Sequence, residues 1–272
     1  MNDFLTLMNL QKCATDSYLG SSPEYPWGSV YGGQIVAQAL KAALLTVDSD
    51  RAVHSLHAYF VGGAVCDEPI RYEVERTRSG GSFDTRSVTV YQTDRLILKL
   101  LSSFHTEEKQ IDVQFPMLPQ DAGSPEGDLQ HEWSPLFERQ YRQPELGRSC
   151  GWLRLTDSVG DDLALQSCAL AYVSDDLPFE AVGTSYPNLI DFRDGWAVPR
   201  TPDFQKKFLI ASLDHSIWFH RQSRVDQWQF YDYRSSGLNG GRGTVFGRVF
   251  SSEGDHVATV IQEILLREKV SC

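Results

Sequence analysis

The sequence contains one strand-rich pattern twice, and this repeat limits what the chain can fold into more than any other feature. The first copy begins VHSLHAYF and the second begins LDHSIWFH. The aromatic pair Tyr59-Phe60 lies 159 residues before Trp218-Phe219, and Tyr72 lies 159 residues before Tyr231 (218 − 59 = 231 − 72 = 159). Equal offsets indicate an internal duplication. With two copies, the pattern predicts a fused pair of β-rich units and not a solenoid.

Size and charge narrow the class of protein. The chain has 272 residues and is 41% hydrophobic, which allows a sizeable core and, as a prior, roughly two domains. Its net charge of −11 argues against a nucleic-acid partner, because such a partner needs a basic face. A few local Arg or Lys residues can still hold phosphates in an acidic protein, so an anionic small molecule is not excluded.

We expect a cytoplasmic protein without membrane insertion. The chain has no apolar run of about 18 residues, the length that a membrane-spanning helix needs. Its first residues, MNDFLTLMNLQKC, lack the pattern of a signal peptide. The five cysteines are an odd number and are scattered without a C-x-x-C pair, which favours a reducing compartment over a disulfide framework.

Each copy of the repeat contains one long helix followed by strands. Residues 31–47, YGGQIVAQALKAALLTV, place apolar side chains at the helical period, and Gly32-Gly33 leaves room for close backbone approach. Residues 161–173, DDLALQSCALAYV, predict the helix of the second copy. From β-branched and aromatic residues, strands are predicted at 53–61, 69–78, 83–92, 95–105, 152–156, 207–219, 228–234, 243–251 and 256–266.

The order of these elements predicts an α+β protein with two domains. A long helix across the concave face of an antiparallel sheet would bury both patterns, and two such sheets can join edge to edge. The first domain is placed at residues 1–106 and the second at residues 148–272. The segment 107–147, with its prolines and acidic residues, is predicted to be a linker with some helix late in it. The proline-containing segment 177–206 is predicted to be irregular.

Six segments spread over both halves resemble the acyl-CoA thioesterase II family, the double-hotdog thioesterases. They are YGGQIVAQAL (31–40), VHSLHAYF (53–60), GGSFDTRSV (80–88), YVSD (172–175), LDHSIWFHR (213–221) and VIQE (260–263). The resemblance covers nearly the whole chain apart from the linker, and LDHSIWFHR is its most specific segment. It implies two tandem antiparallel sheets, each wrapped around a long helix, and hydrolysis of fatty acyl-CoA to free fatty acid and CoA. It also implies a homo-oligomer and no cofactor.

The resemblance carries a catalytic set with it. Matching motif by motif assigns this set to Asp175 in YVSD, Ser212 in ASLDHS and Gln262 in VIQE. Asp175 would take a proton from a water molecule that Ser212 and Gln262 hold, and this water would attack the thioester carbonyl. Many members have Thr in place of Ser212, and either residue supplies one hydroxyl. Without the resemblance, each of the three is an ordinary polar residue at a helix end or in a strand.

The residues that would bind substrate come from several places in the sequence. By resemblance, the backbone N–H groups of Gly33 and Gln34 are candidates for an oxyanion hole at the start of the first helix, where the helix dipole also helps. The site would then lie between the two halves. Arg221 and Arg242 are candidate contacts for the CoA phosphates, with a solvated surface arginine as the alternative for each. His215 is interpreted as a structural hydrogen-bonding residue, with an acid or base role as its alternative.

The sequence argues against several other kinds of site. His54 and His57 lie three apart on a predicted strand and point to opposite faces, and no cysteine pair has zinc spacing, so no metal site is expected. Neither a G-x-S-x-G nucleophile elbow nor a P-loop occurs. Two alternative functions stay open: a non-catalytic acyl-CoA or acyl-carrier binding protein on the same fold, and a hotdog hydratase acting on enoyl thioesters.

Overall fold

The computed structural model describes residues 3–126, 134–142, 145–186 and 206–269. The first half forms α1 (Phe4–Leu7), β1 (Gln11–Ala14), β2 (Ser17–Gly20), α2 (Gly32–Leu44), β3 (Arg51–Phe60), β4 (Ile70–Ser79), β5 (Phe83–Gln92) and β6 (Arg95–Thr106). After a 3-10 turn at Gln120–Ala122, the second half forms β7 (Phe137–Tyr141), β8 (Arg148–Leu155), α3 (Leu163–Val173), α4 (Pro178–Gly183), β9 (Phe208–Ser212), β10 (Asp214–Phe219), β11 (Gln229–Asn239), β12 (Arg242–Ser251) and β13 (His256–Glu268).

The strands of both halves join in one continuous antiparallel sheet. Their order across the sheet is β1-β2-β4-β5-β6-β3-β10-β13-β12-β11-β8-β7, and β9 pairs with β13 beside this path. The two halves meet at a seam in the middle, where β3 pairs with β10. The architecture is therefore α+β, and the two sheets join edge to edge, as the order of elements in the sequence predicts.

The duplication is visible at this seam. His57 lies directly opposite Ser216 in the antiparallel register, and the two are separated by the same 159 positions that relate the copies (216 − 57 = 159). A pair of equivalent residues that face each other marks a local two-fold axis, so the halves are arranged like the subunits of a symmetric dimer. Both copies also break register at equivalent points, at His54 in β3 and at Leu213 between β9 and β10.

Helices α2 and α3 pack side by side against the sheet. The hydroxyl of Tyr31 donates to the carbonyl oxygen of Tyr172 at 2.9 Å. A Cβ on Gly33 would lie 2.4 Å from that same carbonyl oxygen, so the helices reach this separation only with glycine at this position. Every residue of α2 from Gly33 to Leu40 is buried, because the sheet covers one side of the helix and α3 covers another.

In two proline-containing segments the structure differs from the prediction. Late in the predicted linker 107–147, where some helix is expected, the described residues 134–142 contain β7, and β7 extends the second half of the sheet by pairing with β8. Its strand pattern was hidden by Arg139, a charged residue whose side chain is fully buried. The segment 177–206, predicted to be irregular, contains α4, which begins with Pro178 at the helix start, where a proline is tolerated. Residues 187–205 of that segment lie outside the described part of the chain.

Candidate active site

Three polar residues from separate elements converge where α3 ends beside the sheet. Asp175 follows Ser174, the residue that caps the end of α3. Ser212 is the last residue of β9, and Gln262 lies within β13. Oδ1 of Asp175 accepts hydrogen bonds from Ser212 Oγ at 3.2 Å and from Gln262 Nε2 at 2.6 Å. Gln262 Nε2 also donates to Ser212 Oγ at 2.8 Å, so the three side chains form a closed triangle.

A β-bulge directly after Ser212 divides what the sequence predicted as one strand, 207–219. From Ser212 to Ser216 the chain advances by four residues, while its partners on β13 advance by three (216 − 212 = 4 and 264 − 261 = 3). The extra residue is Leu213. The carboxylate of Asp214 closes the gap by accepting a hydrogen bond from the backbone N–H of Glu263 at 2.7 Å. Bulges redirect side chains next to active sites, and this one sets the direction of Ser212.

Asp176 is an acid beside the site that is neutralised by a buried cation. Arg139 donates from Nε to Oδ2 of Asp176 at 2.7 Å and from Nη2 to Oδ1 at 3.1 Å. Tyr141 donates its hydroxyl to Oδ2 at 3.0 Å. The Arg139 and Asp176 side chains are 0% and 1% exposed, so this is a structural ion pair in the core.

Asp175, the next residue back along the chain, has neutral partners instead. It accepts hydrogen bonds from Ser212, from Gln262 and from the backbone N–H of Gly33. Burial raises the pKa of Asp175 to about 6, and these three hydrogen bonds only partly oppose the shift. A carboxyl group with a pKa this close to neutral can both accept and release a proton under ordinary conditions, as a general base must.

The start of α2 approaches Asp175 from the first half of the chain with backbone alone. A Cβ on Gly32 would lie 2.7 Å from Oδ2 of Asp175 and 3.1 Å from the ring of Phe60. The glycine pair that the sequence marks for close approach therefore has two uses. Gly33 lets α2 reach α3, and Gly32 leaves space for the carboxylate.

A cavity of about 620 Å³ opens beside Asp175 and Ser212. Its walls come from the start of α2, the end of β3, α4 and β9, and they are mainly apolar; they include Trp27, Val30, Ile35, Phe60, Phe179 and Ile210. Lys269 adds a cation to the lining, and no motif in the sequence points to this residue. Gln262 is 1% exposed and lies behind the other two residues, so a ligand in the cavity would touch Asp175 and Ser212 first.

His215 lies behind Gln262 in turn. Its Nδ1 is 2.6 Å from Gln262 Oε1, and its Nε2 is 2.9 Å from Ser174 Oγ. The imidazole is fully buried, and this burial lowers the pKa of His215 to about 4, so the ring is neutral at ordinary pH. His215, which we interpret from the sequence as a structural hydrogen-bonding residue, is thus hydrogen-bonded to the candidate site through Gln262.

The predicted oxyanion donors lie at the start of α2 but are engaged within the protein. The N–H of Gly33 donates to Asp175. The N–H of Gln34 donates to Tyr31 O at 3.1 Å, and its side chain is fully buried, where it accepts a hydrogen bond from the hydroxyl of Tyr25 at 2.8 Å. Within the first turn of α2, the cavity is lined by Tyr31, Gly32 and Ile35.

The two predicted arginines lie away from the cavity beside Asp175. Arg221 donates from Nε to Asp112 Oδ2 at 3.1 Å and from Nη1 to the carbonyl oxygen of His256 at 2.8 Å, and it lines a second cavity of about 780 Å³. Arg242, at the start of β12, donates to Glu263 Oε1 at 3.1 Å with its side chain 55% exposed. The structure therefore brings Asp175, Ser212 and Gln262 together but not these arginines.

Among residues 3–126, 134–142, 145–186 and 206–269, no group of three or more His, Cys, Asp or Glu side chains is arranged to hold a metal ion. In the same part of the chain, none of the helices is both long and apolar enough to cross a membrane.

Comparison with known proteins places the chain in a family. A profile described as "Acyl-CoA thioesterase N-terminal domain" matches residues 22–105, and one described as "Acyl-CoA thioesterase C-terminal domain" matches residues 113–266. The chain belongs to the acyl-CoA thioesterase II family. It is 31% identical to acyl-CoA thioesterase 2 of Haemophilus influenzae, over 98% of both chains. It is also 31% identical to acyl-coenzyme A thioesterase 8 of Homo sapiens, over 97% of this chain and 88% of that one.

Solved structures agree with this membership. The acyl-CoA thioesterase II TesB2 from Mycobacterium marinum is 31% identical and superposes with a TM-score of 0.82, covering 99% of this chain and 98% of that one. A conserved protein with a hotdog fold from Alicyclobacillus acidocaldarius is 17% identical with a TM-score of 0.69, which supports the fold alone. The resemblance found in the sequence, the double-hotdog fold and the assignment to thioester-hydrolysing enzymes are confirmed.

Proposed function

We propose that this thioesterase hydrolyses fatty acyl-CoA with a water molecule that Asp175 deprotonates. The observation that carries the proposal is the meeting of Asp175, Ser212 and Gln262 at the wall of a largely apolar cavity, where the Asp175 carboxyl has a pKa of about 6. The cavity supplies a place for an acyl chain, and the carboxylate supplies a base beside it.

The hydrogen bonds in the site define where the water would lie. The Ser212 hydroxyl donates to Asp175 and accepts from Gln262, which leaves one of its lone pairs free. A water molecule that donates one hydrogen to Asp175 and the other to Ser212 keeps its oxygen lone pairs directed at a carbonyl carbon in the cavity. Gln262 uses its amide N–H groups on Asp175 and Ser212, so in this proposal it holds these two residues rather than the water.

The proposed reaction balances with the protein's own groups. As the water oxygen bonds to the carbonyl carbon, one water proton passes to Asp175 and the carbonyl becomes an oxyanion. The positive end of α2 stabilises this charge through its first backbone N–H groups, for which Gly33 and Gln34 are the sequence candidates. Because those two N–H groups are engaged, Gly32, which lines the cavity, is the best placed of the three. The C–S bond then breaks, and the sulfur of CoA takes the proton that Asp175 holds.

CoA itself would lie outside the cavity. Arg242 is exposed, and its partner Glu263 follows Gln262 directly, so it remains a candidate for a phosphate contact. Arg221 lines the other cavity and is bonded to Asp112, so it is not part of this proposal.

The test is release of free thiol from a series of acyl-CoA substrates, from acetyl to stearoyl, by the wild type and by Asp175→Ala. Rapid release that the variant loses while it keeps its fold supports the proposal, and the series gives the preferred chain length. Release that the substitution leaves unchanged would move the chemistry to another residue. If acyl-CoA binds but no thiol is released, the chain is an acyl-CoA binding protein, the alternative that the sequence left open.

A further inference from the structure

We propose that His215 is a positioning residue: protonated on Nδ1 alone, it holds the Gln262 amide so that its NH₂ group faces Asp175 and Ser212. This inference deepens the function proposed above and rests on it, because it matters for catalysis only if Asp175 and Ser212 hold the water. His215 itself does not line the cavity and touches the reaction only through Gln262.

The direction of each hydrogen bond follows from the chemistry of the groups. An ionised carboxylate only accepts, so the end of the Gln262 amide beside Asp175 must be the NH₂ group, 2.6 Å from Oδ1. The other end, Oε1, then faces His215 Nδ1 at 2.6 Å and has no proton to give, so Nδ1 must donate. In a neutral ring Nε2 is then unprotonated and accepts from the hydroxyl of Ser174 at 2.9 Å.

Burial makes this orientation hard to reverse. Ser174 and His215 are 0% exposed and Gln262 is 1% exposed, so water does not replace a lost partner. A flipped amide would place its carbonyl oxygen against the Asp175 carboxylate and its NH₂ group against a protonated nitrogen. Three other ionisable groups lie near the His215 imidazole. Asp214, the preceding residue, raises the pKa of the ring by its charge, and Asp175 lies on the far side of the Gln262 amide. The hydroxyl of Tyr233 donates to Ser174 O at 2.7 Å.

The first half of the chain shows that the fold itself does not need an imidazole at this position. The residue equivalent to His215 is Leu56 (215 − 56 = 159), and both are 0% exposed on the two strands that form the seam. The strand pairings give the residue equivalent to Gln262. Ser216 pairs with Ile261, and its equivalent His57 pairs with Leu101, so Ile261 is equivalent to Leu101. The next residues, Gln262 and Ser102, are therefore equivalent. A buried leucine therefore serves where the amide is missing, and histidine occurs where the amide has a direction to keep.

The kinetic test replaces His215 with the first-half residue, His215→Leu, and with His215→Asn, whose side-chain NH₂ can take the place of the Nδ1 donor. We expect His215→Leu to lower kcat about 10- to 100-fold with KM changed less than about threefold, as for the loss of one buried hydrogen bond. The acid limb of kcat should also move to higher pH, because a turned amide carbonyl raises the pKa of Asp175. His215→Asn should restore most of both. His57→Leu, which removes another hydrogen-bonded histidine of the seam, is the matched control and should change neither.

A double-mutant cycle with Gln262→Ala separates positioning from a general effect on folding. Once the amide is absent, adding His215→Leu should lower kcat by less than about threefold. An equal loss in both backgrounds, or a folded His215→Leu enzyme with wild-type kcat and acid limb, would overturn the inference.

A measurement on the wild type covers the case in which variants at this buried position do not fold. Nitrogen-15 NMR of the seven histidines gives the protonation state of each ring nitrogen, and the spectra of single histidine-to-asparagine variants at the other six positions assign His215 by elimination. We expect Nδ1 protonated and Nε2 unprotonated between pH 5 and pH 7, since the pKa of His215 is about 4. A proton on Nε2 alone would overturn the inference. A wild type that hydrolyses no acyl-CoA would instead overturn the proposed function, whichever tautomer is found.

Discussion

Two cavities of this protein have the same construction and different linings. The cavity of about 620 Å³ lies between the start of α2 and the end of α3, and the cavity of about 780 Å³ lies between the start of α3 and the end of α2. The local two-fold axis at the seam exchanges them. The larger cavity is therefore the counterpart of the candidate active site. Comparing the two separates the cavity shape, which both halves share, from the polar residues that only the second half contains.

The larger cavity has no carboxylate at the position equivalent to Asp175. The residue that follows the cap of α2 is Thr46, where α3 has Asp175. Val53 is the residue equivalent to Ser212, because Val53 pairs with Phe104 in the first half at the position where Ser212 pairs with Ile264 in the second. Ser102 stands in the place of Gln262. None of these three can accept a proton from water at ordinary pH.

A buried arginine, Arg86, is a further difference between the two cavities, because it lies beside Thr46 in the first half. Arg86 lies opposite Ser102, where the second half has Val245 opposite Gln262. Its Nε donates to Thr46 Oγ1 at 3.0 Å. A carboxylate at position 46 would therefore meet a cation, which lowers a carboxyl pKa and makes a weaker base. The fold supplies two equivalent cavities beside helix starts, but of the two equivalent positions only 175 carries an acid, while position 46 carries a threonine bonded to a cation.

The largest expected effect is the loss of the base itself. Asp175→Asn keeps the shape of the side chain and removes its ability to take a proton, so we expect kcat to fall by about 10³-fold or more. Steady-state kinetics with circular dichroism as the control for folding measures this. Retention of most of the activity would mean that the carboxylate of Asp175 is not what distinguishes the two cavities.

The start of α2 gives the next largest effect. Gly32→Ala would place a Cβ 2.7 Å from Oδ2 of Asp175, and since the carboxylate can turn away, the fold should survive while kcat falls by about 10²-fold. The matched control is Leu163→Ala at the start of α3, which lines the larger cavity and should leave kcat unchanged. Equal effects of the two substitutions would contradict the assignment of chemistry to one cavity.

Exchanging one equivalent pair sharpens the comparison. Ser212→Val gives the second half the residue of the first, removes the hydroxyl beside Asp175, and should lower kcat about 10- to 100-fold. Val53→Ser makes the reverse change at the larger cavity. It should lower the midpoint of thermal unfolding slightly, because it removes buried apolar area, without an effect on kcat. A drop in kcat from Val53→Ser would show that the larger cavity takes part.

The smallest effect is a pH dependence. Burial raises the pKa of Asp175 to about 6, so below pH 6 the base is increasingly protonated. We expect kcat/KM to be level above about pH 7, half its maximum near pH 6 and, below about pH 5, about tenfold lower for each further unit of acid. The residual rate of Asp175→Asn should lack this limb. A limb near pH 4, the usual range of an aspartate, would mean that the carboxyl is not desolvated in solution.

Much of the fold could be predicted because local hydrophobic patterns, repeated in both halves of the chain, determine the type of most elements. The patterns of residues 31–47 and 161–173 predict the two long helices, β-branched and aromatic runs predict most strands, and the equal spacing of the aromatic pairs predicts the duplication. The predictions failed where a tertiary partner overrides the local pattern. Arg139 sits at an inward position of β7 because Asp176 neutralises it, and no property of the segment 137–141 reveals that partner.

The candidate site could be named from the sequence only through the family motifs. Asp175 and Asp176 are adjacent acids at a helix end, and the residues alone do not distinguish them. The distinction arises from a strand about 37 residues away, which brings Arg139 to one acid and not to the other (176 − 139 = 37). In the same way, nothing local to His215 or Gln262 shows that their side chains meet.

The sequence by itself determined that this chain is a duplicated α+β protein, because periodicity and repetition are properties of the chain alone. The double-hotdog assignment came from the resemblance of its motifs to the acyl-CoA thioesterase II family. The tertiary structure decided which of two equivalent cavities holds an acid with a raised pKa. That outcome depends on desolvation and on the cations and donors that distant segments bring near, and these are fixed only when the sheet closes around the two helices.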